Sequence, residues 1–260
     1  MRGAMRGFTL VELVMVILLL GIMATFTSQF IGIGTQIYGD ASSREQLMSD
    51  ARFAMERLNR ELRDAVPGSV RVEDGEGHLV EQGTCLRFWP IVTASRYLGS
   101  STSTGLSIVT PDLIPIEDKD LAIVYPLADV TPGNLNFLYT GCLYGNCVAK
   151  VSAVGASVSG ALPLTVDQAF MKNSPGQRIY FARQSVLYCV KGGSLWREEA
   201  PLVKGSSNKA LMAEHLSPAP YYFYREPAAF SPSEVGLKLI FERRGEHVTF
   251  NHKLEPLNVP

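Results

Sequence analysis

Arg6-Gly7-Phe8-Thr9-Leu10-Val11-Glu12-Leu13 runs straight into the aliphatic stretch Leu13–Ala24, LVMVILLLGIMA, and this junction decides how the chain is read. From Leu13 to Gly39 there is no Asp, Glu, Lys or Arg. Leu13–Gly32 alone supplies the roughly 20 low-polarity residues that cross a hydrocarbon core about 30 Å thick. Ahead of it, Met1–Gly7 carries Arg2 and Arg6 and no acid. Positive residues before an apolar run hold the N-terminus in the cytoplasm, so the chain beyond the run is exported. Glu12 stands inside the start of the apolar helix. An acid at a bilayer centre costs about 2.5–3.5 kcal/mol, less towards the end, and such groups usually have a functional partner. From this one residue, a tolerated interfacial acid and a functional one are both open.

A cleaved secretory signal would need small residues at the −3 and −1 positions after the apolar core. Ala24 has Ile22 two residues before it and Ser28 has Phe26, and the first cysteine is Cys85, too far along for a lipoprotein signal. The complete string Gly7-Phe8-Thr9-Leu10-Val11-Glu12 with its aliphatic run resembles the type III signal of type IV prepilins and pseudopilins. The resemblance implies cleavage by a prepilin peptidase between Gly7 and Phe8, with N-methylation of Phe8. It implies that Glu12 meets the terminal ammonium of a neighbouring subunit during assembly. The physics suits that role: opposite charges in a low-dielectric helix bundle attract strongly, whereas each alone is costly there. Gly7 has no side chain to obstruct a protease.

The helix is expected to continue. Phe30–Gly39 carries Gly32, Gly34 and Gly39, and each interior glycine costs about 1 kcal/mol relative to alanine, so a weakened, bendable segment is expected there. Gly32-Ile33-Gly34 is no dinucleotide loop, because the third glycine is misplaced and no strand precedes it. From Asp40 to Val66 the pattern turns amphipathic. Leu47, Ala51, Ala54, Met55, Leu58, Leu62 and Ala65 form a helical stripe, and Glu56–Arg60, Arg57–Glu61 and Arg60–Asp64 are i,i+4 pairs on the other face. Arg52, Arg57, Arg60 and Arg63 read better as a solvated, salt-laced face than as an anion site. Pro67-Gly68 ends the helix. A helix from Phe8 to Val66 would be roughly 90 Å long, so its outer half must pack on a globular domain.

That domain is residues 67–260. Cys85–Trp89, Leu121–Tyr125 and Arg178–Phe181 are strand-like runs. Ser185–Val190 and Leu195–Arg197 flank Lys191-Gly192-Gly193-Ser194, a hairpin signal, and a second hairpin turns at Arg244-Gly245-Glu246. Ser95–Pro111 is long, polar and nearly uncharged, and is expected to be a mobile loop or an insertion at the exposed end. The expected fold is α+β: a pilin-like lollipop with a leader at 1–7, a hydrophobic membrane and assembly helix at 8–39, its amphipathic second half at 40–66, and an antiparallel β-rich domain. Ala51–Pro67, the hairpin VLYCVKGGSLWRE and the chain end Asn258-Val259-Pro260 resemble the larger minor pilins, those of MSHA-pilus biogenesis above all, and the J-type minor pseudopilins of type II secretion.

Cys85, Cys142, Cys147 and Cys189 all lie beyond the membrane segment. An even number in an exported domain suggests disulfides, with three possible connectivities. The turn pair Gly145-Asn146 favours Cys142–Cys147 as a small loop, leaving Cys85 and Cys189 to join two strands. Zinc fits less well, because Cys85 and Cys189 are isolated. Asp112, Glu117, Asp118 and Asp120 lack the pattern of a calcium loop and read as a solvated cluster. His78, His215, His247 and His252 form no H-E-x-x-H, and Gly155–Gly160 is no nucleophile elbow. Tyr221-Tyr222-Phe223-Tyr224 is expected to bury alternate rings.

The chain has 260 residues, 46% hydrophobic and 19% charged, with a net charge of −1. It lacks the basic excess of a nucleic-acid binder and is long enough for a substantial core. No cofactor, metal or catalytic centre is expected. The expected partners are prepilin peptidase, other minor and major pilins, and the inner-membrane assembly platform. The expected location is a single pass in the inner membrane with the domain in the periplasm, then incorporation in a pilus, at its tip. A minor pilin, a J-type pseudopilin and an anchored periplasmic enzyme or binding protein are the three functional readings.

Overall fold

The computed structural model describes residues 9–127, 138, 142, 145–225, 234–243 and 245–256. One helix, α1 (Leu10–Arg63), opens the chain. Its 54 residues span about 80 Å. The helix runs unbroken through Phe30–Gly39, glycines included. It stops three residues short of Val66. Asp64 is the C-cap, Ala65 bridges Pro90, and the Val66 amide donates to the Trp89 carbonyl at 2.8 Å. The cause is Pro67, which pushes the residue before it out of the helical region. Of the expected charge pairs, Arg57–Glu61 closes at 2.9 Å.

Among the described residues, fifteen strands come after the helix: β1 (Arg71–Glu73), β2 (Gln82–Gly83), β3 (Cys85–Phe88), β4 (Thr93–Leu98), β5 (Gly105–Val109), β6 (Leu121–Ile123), β7 (Val148–Val154), β8 (Ala161–Val166), β9 (Arg178–Ala182), β10 (Gln184–Lys191), β11 (Ser194–Pro201), β12 (Asn208–Ala213), β13 (Phe223–Tyr224), β14 (Val235–Arg243) and β15 (Glu246–Leu254). All pairings among these described strands are antiparallel. They make a five-stranded sheet, β1-β3-β10-β11-β12, a four-stranded sheet, β15-β14-β13-β2, and a closed barrel, β4-β5-β8-β7-β6-β9. The architecture is therefore an α+β lollipop: a long apolar helix rooted in a strand-rich antiparallel head.

The helical stripe is the keel of the main core. Leu47, Ala51, Ala54, Met55, Leu58, Leu62 and Ala65 are all buried. They cluster with Val72, Leu86, Phe88 and Tyr188 of the five-stranded sheet, and with Leu237, Leu239 and Phe241 of the four-stranded one. A polar anchor supplements this packing. The Glu61 carboxylate accepts from the Tyr188 hydroxyl at 3.0 Å and from Arg197 Nε at 2.9 Å. Burial, with the Glu61 charge beside it, pushes the Tyr188 hydroxyl far above its ordinary pKa.

The β10–β11 hairpin turns on Gly192-Gly193, with Lys191 opposite Ser194. Both glycines have positive φ, 59° and 73°, as a two-residue type I′ turn requires. The C-terminal hairpin pairs Arg243 with Glu246; Arg244 of its expected turn lies outside the described residues, as does Asn258-Val259-Pro260.

The barrel corrects an expectation drawn from the sequence. Ser95–Pro111 is not a loop: it holds most of β4 and all of β5, two barrel strands. Tyr97, Leu106 and Ile108 point into the barrel core, while Arg96, Leu98, Gly105 and Val109, their neighbours along the two strands, are exposed. Small hydroxyl residues mask the period of 2, because Thr93, Ser95 and Ser107 read as turn formers while sitting inside short strands. The barrel interrupts the β3–β10 pair, leaving after Phe88 and returning at Gln184, where Phe88 faces Val186 across the ladder. Its base is tied to the helix end, with the Ile91 amide donating to the Asp64 carbonyl at 2.8 Å.

The aromatic run also differs. Tyr222 and Phe223, adjacent rather than alternate, are both buried. Tyr222 precedes the two-residue β13, and its hydroxyl donates to the Ser217 carbonyl and accepts from the Ala219 amide, both at 3.1 Å.

Candidate assembly site

The first residues of α1 form a capping box. Thr9 is the N-cap, in extended conformation, and Glu12 is the third helical residue. The Glu12 amide donates to Thr9 Oγ1 at 3.3 Å, and Glu12 Oε2 accepts from the Thr9 amide at 3.4 Å and the Thr9 hydroxyl at 3.3 Å. The helix N-terminus leaves amide donors without intrahelical partners, and this exchange satisfies two of them. A carboxylate in the first turn also faces the positive end of the helix dipole. The spacing T-x-x-E is present in the sequence, yet the expectation for Glu12 rested on its charge and its place in the signal. Thr9 is the residue that expectation missed.

From Leu10 to Tyr38 every side chain is exposed, Phe30 at 78%. The threonines here turn their hydroxyls back onto the helix. Thr25 Oγ1 donates to the Ile22 carbonyl and Thr27 Oγ1 to the Met23 carbonyl, both at 2.7 Å, and Thr35 Oγ1 to the Gly32 carbonyl at 2.9 Å. Each such bond lowers the cost of placing a hydroxyl in an apolar medium. This is the one helix, among the described residues, long and apolar enough to cross a membrane. The leader 1–7, Gly7 and the expected methylation site Phe8 lie outside the described residues.

The head cysteines are joined as Cys85–Cys189 and Cys142–Cys147. Cys85 and Cys189 face each other in the β3–β10 register, at the end of that pair away from the barrel. The Cys142–Cys147 loop docks on the β8–β9 connection, where Asn146 Nδ2 donates to the Ala169 carbonyl and the Met171 amide to the Asn146 carbonyl, both at 2.9 Å.

The acidic cluster is split between structural tasks. Asp120 is fully buried and takes Arg183 in a bidentate pair, Nε at 2.6 Å and Nη2 at 3.0 Å, which raises the Arg183 pKa. Asp118 pairs with Lys150 at 2.6 Å. His247 and His252 lie on β15 opposite Glu242 and Leu237, on different faces of the strand. Asp74, Glu76 and His78 gather on the exposed β1–β2 turn. There Asp74 Oδ1 accepts the Glu76 and His78 amides, an ordinary turn arrangement. The hydrogen bond from its ring to Asp74 raises the His78 pKa.

Residues 2–28 match the family model of the prokaryotic N-terminal methylation motif. No curated protein and no solved structure matches the chain. The motif is the type IV prepilin-like signal, which implies processing by prepilin peptidase and assembly with other pilins. The signal supports a type IV pilin-like protein, and the exposed apolar helix behind it is long enough for a single membrane pass.

Proposed function

We propose that the protein is a minor pilin of an MSHA-type type IV pilus, most similar to the MSHA-pilus biogenesis protein MshO, that initiates assembly or sits at the tip. It is not an enzyme in this reading. Peptidase cuts between Gly7 and Phe8, Phe8 is methylated, and the head lies in the periplasm until extraction. Glu12 then leaves its own N-cap to pair with the ammonium of a neighbouring subunit.

The observation that carries the tip assignment is where the barrel joins. Its linkers bond to Asp64, Ala65 and Val66, at the end of α1 farthest from the apolar half. A subunit below can still pack against the exposed Leu10–Tyr38 segment, whereas the barrel adds bulk at the opposite end, where a further head would stack. Its six strands close on themselves and offer no free edge to extend a sheet.

The test is immunogold labelling of sheared pili from a strain carrying an epitope-tagged copy. Label confined to one filament end supports the reading; label along the shaft contradicts it. A J-type pseudopilin of a type II secretion system shares the signal, processing and helix. Deleting the gene separates the two: lost piliation with intact secretion favours the pilin, and the reverse favours the pseudopilin.

A further inference from the structure

The five-stranded sheet and the barrel meet at a cleft of about 280 Å³. Three separate segments build it. Lys119 comes from the β5–β6 connection, Arg183 and Gln184 from the link that returns the chain from barrel to sheet, and Lys204, Ser206 and Asn208 from the β11–β12 connection and the start of β12. We propose that this cleft binds a small hydrophilic ligand through an oxyanion, a carboxylate or a phosphate. The proposal goes beyond the assembly role and does not depend on it.

The charges lining the cleft do not cancel. Arg183 spends Nε and Nη2 on the buried Asp120. The acid in the wall, Glu199, accepts from Arg197 Nη1 at 2.8 Å. Arg197 also meets Glu61, which has Arg57 as a second partner at 2.9 Å, so these acids and bases match in number. The Lys119 and Lys204 ammonium groups have no ion pair among the described residues. The cleft therefore keeps two uncompensated positive charges, on a chain whose net charge is −1. Gln184, Ser206 and Asn208, which line the same concavity, likewise make no side-chain hydrogen bond to described residues.

Backbone construction brings the lysine loop to the cleft. A Cβ on Gly205 would stand 2.5 Å from Pro201 Cγ, so only glycine lets the loop fold this closely over the end of β11. The Leu202 amide donates to the Arg183 carbonyl at 2.9 Å and ties that loop to the link between barrel and sheet. The volume, 280 Å³, is just under the roughly 300 Å³ at which pockets for drug-sized molecules begin, which points to a phosphate or a single sugar acid.

The test is calorimetric titration of the full chain in detergent at low salt with inorganic phosphate, galacturonate and neutral galactose. The same titrations are run on the Lys119→Ala/Lys204→Ala double variant, whose fold is verified by its thermal melt. Saturable binding of an anion is expected, weakened at least about tenfold in the variant and by added salt, with galactose silent. Phosphate alone, galacturonate alone or both supports the site and identifies the source of the oxyanion. Saturation by neither anion at concentrations of about 10 mM, equal binding by the variant, or equal binding of galactose overturns it.

Discussion

The two halves of α1 have similar appetites for apolar residues and opposite fates. Leu18 in the first half is 60% exposed, and Leu58 in the second is fully buried. Along Leu10–Tyr38 the apolar residues surround the helix; from Leu47 to Leu62 they are concentrated in one stripe that both sheets cover. A helix apolar all round needs lipid or other helices, whereas a striped one needs a core. One continuous helix thus serves two solvents, and its sequence period marks where one gives way to the other.

If that division holds, stability should respond to one half and assembly to the other. The largest stability loss is expected on removing the Cys85–Cys189 bond, which closes a sequence separation of 104 residues. Cys85→Ser/Cys189→Ser should lower head stability by about 2–5 kcal/mol in denaturant unfolding. Leu58→Ala should cost a comparable amount, about 2–5 kcal/mol, by leaving a cavity under the helix. The matched Leu18→Ala change, in the exposed half, should leave head unfolding unaltered; a loss there similar to that of Leu58→Ala would break the comparison.

Glu61→Gln sharpens it. The change strips the charge that Tyr188 and Arg197 both meet, and should cost roughly 1–3 kcal/mol in the same unfolding measurement. Smallest for stability is Glu12→Val, whose effect on the melting of the head should be nil. Its consequence belongs to the other half: cleavage proceeds, but incorporation into sheared filaments is lost. Normal piliation in a strain that relies on this subunit would remove Glu12 from assembly.

Legibility in the sequence tracked the strength of the period. The stripe from Leu47 to Ala65 and the Gly192-Gly193 hairpin were readable, because each carries a long or sharply punctuated local signal. The barrel was not. Its β6 and β9 fall in runs that read as strands, but β4 and β5 are interrupted by serine and other small or polar residues, and closure rests on pairings between segments as distant as Thr93 and Phe181. Long-range register leaves little trace in a local window. At the assembly site, the charge of Glu12 was legible and its Thr9 partner was there to be read, three residues upstream. The cleft at Lys119 and Lys204 had no sequence signal at all, because three distant segments compose it.

If the apolar half of α1 is a processed assembly segment, the mature chain has a defined new N-terminus. Intact-mass analysis of the protein from cells with and without prepilin peptidase tests it most directly. A chain beginning at N-methylated Phe8 is expected when the peptidase is present, and one beginning at Met1 when it is absent. A chain that begins at Met1 in both would contradict it.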